Sequence, residues 1–134
     1  MTKILVVDGS REINELLVSA LTPLGYHVLS ACSGEEAYKL YIADSEIKAV
    51  VTEVTYNCGL KDQYSGVDLA LDVMKSSKYR PTPIIFMAGD IGDYSHAELE
   101  SLTTYMLDKP FRIQDLTFLL DQALHKPAIQ TSQD

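Results

Sequence analysis

The sequence predicts a doubly wound α/β domain: a five-stranded parallel sheet with helices on both faces. Three observations predict it. Short apolar runs alternate along the chain with segments of helical apolar spacing, five of each. The clearest of those runs lack in–out alternation, the pattern of strands covered on both faces. The length, 134 residues, suits one domain with one complete core. Right-handed crossovers between parallel strands then put helices on both sides.

Each element has its own signal. Residues 4–7 (ILVV) are wholly apolar and form the first strand. Ser10 offers a helix N-cap. Ile13, Leu16, Leu17, Ala20 and Leu21 follow at helical spacing, and Pro23 and Gly25 stop the helix. Residues 27–31 form a weaker second strand. Ser33 caps a helix over 34–42 with Ala37, Leu40 and Tyr41 on its inner face. The third strand spans 49–54, and a polar loop, 56–65, follows. Val67, Leu69, Ala70, Val73 and Met74 mark the third helix, and Pro83 opens a fourth strand at 84–87. A helix over 94–102 has the weakest pattern. Residues 105–107 make the fifth strand, and Leu116, Leu119, Leu120, Ala123 and Leu124 line the last helix. The domain is expected to run over 1–125, with a disordered tail over 126–134. There is no internal repeat.

Composition narrows the function. Hydrophobic residues make up 46% and charged residues 22%, with a net charge of -8. Phosphate-rich surfaces need clustered Lys and Arg, so neither nucleic acid nor an anionic membrane is an expected partner. No apolar run approaches the roughly 20 residues that span a bilayer, and the N-terminus opens on a strand without a signal-peptide pattern. A cytoplasmic location is expected. Cys32 and Cys58 lack metal spacing and read as free thiols, with a lone disulfide as the alternative. His27, His96 and His125 are scattered and read as surface residues rather than ligands.

In open parallel sheets, function gathers at the carboxyl ends of the strands. Here those ends carry Asp8, Glu53, Ala88 and Lys109. The segments KILVVDGS, AVVTEVT, PIIFMAGD and YMLDKPF resemble the four signature stretches of the CheY-like receiver family of response regulators, over about residues 3–124. The resemblance implies a flavodoxin-like (βα)5 fold with strand order 2-1-3-4-5. It also implies a pocket in which an acidic pair holds Mg2+ and an aspartate accepts a phosphoryl group from a histidine kinase. A Ser or Thr and a Lys contact that group, and an aromatic residue in the fifth strand reports the switch.

This sequence departs from the pattern at most of those positions. Asp8 fills the first acidic position, but Gly9 stands at the second. Glu53 replaces the acceptor aspartate, Ala88 the hydroxyl residue and Met106 the aromatic reporter. Tyr105 is adjacent to Met106, but neighbouring strand residues point to opposite faces. Lys109 and Pro110 are kept, and the resemblance implies a cis bond between them. The loop after Glu53 is longer than the family's.

The expectation is a degenerate pocket with no catalytic residues and no cofactor. Mg2+ requires near-octahedral oxygen ligands, so binding is expected to be weak or absent, with Asp8 a remnant ligand. Glutamate reaches one methylene further than aspartate, into the space meant for the phosphoryl group, and a misplacement of about 1 Å costs about 100-fold in rate. Glu53 is instead expected to pair with Lys109, either as a permanent mimic of the phosphorylated state or as a drifted replacement. Asp8 is expected to hydrogen-bond nearby backbone or Lys109.

The function expected is signal transduction by phosphorylation-independent contact with a protein, a histidine kinase or an output protein. The resemblance places that contact on the face of helix four, strand five and helix five. Tyr94, His96, Tyr105 and Phe118 are the candidates there; a homodimer and scattered exposed aromatics are the other readings. The 56–65 loop reads equally as a recognition loop or a tolerated insertion. A chain of this length is not expected to carry an attached DNA-binding domain. Two rival functions remain. One is a working phosphoacceptor using Glu53. The other is a flavodoxin-like cofactor binder, which needs a phosphate-cradling loop richer in Ser, Thr and Gly than GSREINE.

Overall fold

The computed structural model describes residues 1–56, 64–76, 81–103 and 105–125. Five parallel strands, β1 (Thr2–Val7), β2 (Tyr26–Ala31), β3 (Ile47–Glu53), β4 (Ile84–Ala88) and β5 (Tyr105–Asp108), form one sheet in the order β2-β1-β3-β4-β5. Five helices alternate with them: α1 (Arg11–Leu21), α2 (Gly34–Ala43), α3 (Gly66–Ser76), α4 (His96–Glu100) and α5 (Ile113–His125). A short 3-10 turn, Thr22–Leu24, ends at Gly25 with φ 100, a left-handed conformation glycine adopts without a Cβ penalty.

The strand sequences sort into two cores. Leu5, Val7, Val50 and Phe86 face one layer with Ala37, Tyr41, Leu69, Ala70, Val73 and Leu99. Ile4, Val6, Val51, Ile85 and Met87 face the other with Leu17, Leu21, Leu116 and Leu120. β4 is buried along its whole length, IIFMA, as its unbroken apolar run requires. The helix starts agree with their caps. Ser10 Oγ accepts from Ile13 N at 3.3 Å, and Ser33 Oγ from Glu36 N at 3.2 Å.

Several expectations needed correction. Leu16 belongs to the apolar spacing of α1 yet is 65% exposed, because Ile13, Leu17 and Leu21 complete the inward stripe. Met74 is also exposed. β3 starts two residues earlier than expected, at Ile47, where it pairs with Lys3 beside a register shift. α4 is five residues long rather than nine. A capping box fixes its start, with Ser95 and Glu98 each bonding the other's backbone amide. Tyr94, expected inside that helix, precedes it. Cys58, the centre of the 56–65 loop and the tail over 126–134 lie outside the described residues; Cys32 is an exposed free thiol.

Candidate functional site

Strand order brings the ends of β1, β3 and β5 to one rim. Asp8 follows β1 and is almost wholly buried, Glu53 ends β3, and Lys109 follows β5. The Lys109 ammonium sits between the two acids, with Nζ 2.8 Å from Asp8 Oδ2 and 2.9 Å from Glu53 Oε2. The other carboxylate oxygens are taken by main chain. Ser10 N donates to Asp8 Oδ1 at 2.8 Å, and Gly9 N donates to Glu53 Oε1 at 2.9 Å. The Lys109–Pro110 bond is cis.

Two carboxylates therefore share one ammonium, and one negative charge stays uncompensated within the group. Burial pushes the Glu53 carboxyl above its ordinary value. The Gly9 amide and Lys109 pull it down, and the Asp8 charge pushes it up again. Burial works against the charge of Lys109 as well, but its bonds to Asp8 and Glu53 outweigh that and hold the ammonium above its ordinary value. The two directions are compatible: a cation gains from two anions, whereas each anion holds half of a cation.

The triad lines an open cleft of about 340 Å3 with Gly9, Ser10, Ile13 and Tyr56. Ala88 is buried at the end of β4, where its carbonyl accepts from Lys109 N at 3.1 Å. It brings no hydroxyl to the cleft. Met106 packs into the α2–α3 layer and Tyr105 into the α1–α5 layer, so the two lie on opposite sides of the sheet. Gly89 leaves 3.3 Å between a would-be Cβ and the Lys109 stem, which runs alongside it.

The four surface candidates do not present themselves alike. His96 and Phe118 are exposed. Tyr94 is half-buried against the α2–α3 layer, its hydroxyl 3.1 Å from Ser65 Oγ, and Tyr105 is half-buried on the opposite layer. His27 is exposed, and so is His125, whose Nδ1 is 2.8 Å from Asp121 Oδ1. No group of three or more metal-ligating side chains occurs among the described residues. Nor is any described helix long and apolar enough to cross a membrane.

Sequence reasoning missed two residues of the site. Asn14 is buried on α1, and its Nδ2 donates to the carbonyls of Asp8 at 3.0 Å and Ala31 at 2.9 Å, tying the ends of β1 and β2 to the helix. A polar residue on the Leu17–Leu21 stripe was the available signal. Tyr56 was grouped with a surface loop, yet it is buried, with its hydroxyl 2.6 Å from Thr52 Oγ1. No local pattern marks it.

The sheet order, with helices alternating along it, is that of the CheY-like, flavodoxin-type fold class. No family model matches the chain. By sequence it is similar to the probable transcriptional regulator ycf27 of Cyanidium caldarium, 29% identical over 130 residues that cover 96% of this chain and 47% of that protein. The chain thus spans about half the length of this curated relative. Among solved structures, it resembles a response regulator receiver domain protein from Clostridium thermocellum, with a TM-score of 0.79 at 24% identity over 94% of this chain and 96% of that one. It also resembles the chemotaxis response regulator CheY4 of Vibrio cholerae, with a TM-score of 0.75 at 26% identity over 92% and 99% of the two chains.

Proposed function

We propose that this chain is a receiver-like signalling module that works by contact with a protein partner and without phosphotransfer. The observation that carries the reading is the Lys109 ammonium held between Asp8 and Glu53, with every oxygen of both carboxylates engaged. An arriving phosphoryl group would meet a pocket that already holds its own cation and retains excess negative charge. Nothing in the pocket replaces the hydroxyl that Ala88 lacks.

The residues present do not fit a divalent metal. Mg2+ demands near-octahedral oxygens, whereas the oxygens of Asp8 and Glu53 face an ammonium and two amides. A metal site would have to displace Lys109 and find a further acid, which Gly9 does not supply. Without a metal to neutralise the transferring group, transfer loses a principal source of stabilisation.

Contact remains as the output. His96 and Phe118 are exposed on α4 and α5. An apolar groove of about 510 Å3 runs between α1 and the β5–α5 connection, lined by Ile13, Leu16, Leu17, Pro110, Phe111 and Ile113. The partner class is another signalling protein, a kinase or an output protein. The deciding experiment incubates the protein with acetyl phosphate and Mg2+ and reads covalent modification by intact mass. No adduct is expected, and an acyl phosphate on Glu53 refutes the proposal.

A further inference from the structure

We infer that Tyr56 is the specificity-determining residue of the cleft: its main chain occupies the space that a side chain at position 9 would need, so the second acidic ligand of a divalent cation is excluded sterically. The inference rests on the receiver-like reading of the site. A Cβ placed on Gly9 would lie 2.6 Å from the Tyr56 carbonyl oxygen and 3.5 Å from its carbon. The obstacle is backbone, which cannot swing aside as the tip of a flexible side chain can.

That backbone is held by its own side chain. The Tyr56 ring is buried, and its hydroxyl lies 2.6 Å from Thr52 Oγ1 within β3. The ring also abuts the start of α2, where a Cβ on Gly34 would come within 3.0 Å of Tyr56 Cε2 and 2.5 Å of Tyr64 Cδ1. Gly9 seats the main chain of Tyr56 and Gly34 seats its ring. Any side chain at position 9, acidic or not, requires the Tyr56 carbonyl to retreat. Restoring the lost carboxylate alone therefore does not restore a metal site.

The test places Gly9→Ala, Gly9→Asp and the Gly9→Asp/Glu53→Asp pair in the wild-type, Tyr56→Phe and Tyr56→Ala backgrounds and reads thermal midpoints with and without Mg2+. Gly9→Ala is expected to lower the wild-type midpoint by about 5 °C or more, and by less than half as much beside Tyr56→Ala. Tyr56→Phe keeps the ring and loses only the bond to Thr52, so it carries the comparison if the alanine background does not fold. Mg2+ is expected to raise the midpoint of the Gly9→Asp/Glu53→Asp pair only when Tyr56 is also replaced. Equal losses in every background overturn the inference. So does a Mg2+ response with Tyr56 intact, or none once it is replaced. Phosphotransfer to Glu53 in the unaltered chain would sink the functional reading and leave the Gly9–Tyr56 coupling standing.

Discussion

Replacing Lys109 by methionine removes the ammonium while keeping most of the stem that runs beside Gly89. Two carboxylates are then left facing each other. At an effective dielectric of about 20, an ion contact of 2.8 Å has a bare attraction of about 6 kcal/mol, but burial of the charges cancels much of it. Removing one partner of a fully buried pair costs about 3–5 kcal/mol. Here the Asp8 side chain is 3% exposed, Glu53 17% and Lys109 25%, so part of the triad is screened by water. Each acid also keeps its backbone donor. The expected loss is about 2–3 kcal/mol at pH 7, read from urea unfolding followed by circular dichroism with an unchanged m-value.

The loss should also depend on pH. Glu53 titrates above 4.5 in the folded protein, so the native state binds its proton more readily than the unfolded chain does. The cost of charging Glu53 is fully present above its folded pKa and fades as pH falls through that value toward 4.5. Lys109→Met raises the folded pKa further, so its destabilisation should be smaller at pH 5 than at pH 7. A loss below about 0.5 kcal/mol, or one equal at both pH values, would refute the triad as the organiser of the rim.

Glu53→Gln should behave oppositely: stability at pH 7 is expected to stay within about 0.5 kcal/mol of wild type or to rise, and a loss above about 2 kcal/mol by the same assay contradicts the shared-cation argument. Asn14→Ala removes the buried donor to the Asp8 carbonyl and leaves the Ala31 carbonyl with only the Asp8 amide, 3.2 Å away, and should cost about 2 kcal/mol by urea unfolding; a loss under about 1 kcal/mol would mean that water replaces the side-chain amide. Gly66→Ala would place a Cβ 1.7 Å from the Glu53 carbonyl oxygen and should cost about 3 kcal/mol or more, or abolish soluble expression; a thermal midpoint near wild type would show that β3 can yield there.

The sheet was legible because its interior strands β1, β3 and β4 are largely buried on both faces, so ILVV and IIFMA carry their fate locally. The acid–lysine cluster was legible because parallel topology delivers successive strand ends to one rim. Leu16 was misread because helical spacing admits two neighbouring stripes, and tertiary packing selects only one of them. Tyr56 and Asn14 escaped for a different reason. For Asn14 the helical period marks a buried position but not its partner Ala31, and the contacts of Tyr56 with Gly9 and Gly34, distant in sequence, are encoded by no propensity or period. The short α4 shows a third limit: its cap residues, Ser95 and Glu98, outweigh a periodicity too weak to set its length.

The edges of the sheet bear on how the molecule can meet another. β5 is four residues long and runs straight into Lys109–Pro110, where proline offers no amide to a neighbouring strand. A foreign strand laid along that margin would find a short template that stops abruptly, a known safeguard against edge-to-edge aggregation. A mutation that extended β5 past Asp108 would lengthen that template and draw Lys109 out of the cleft with the same change.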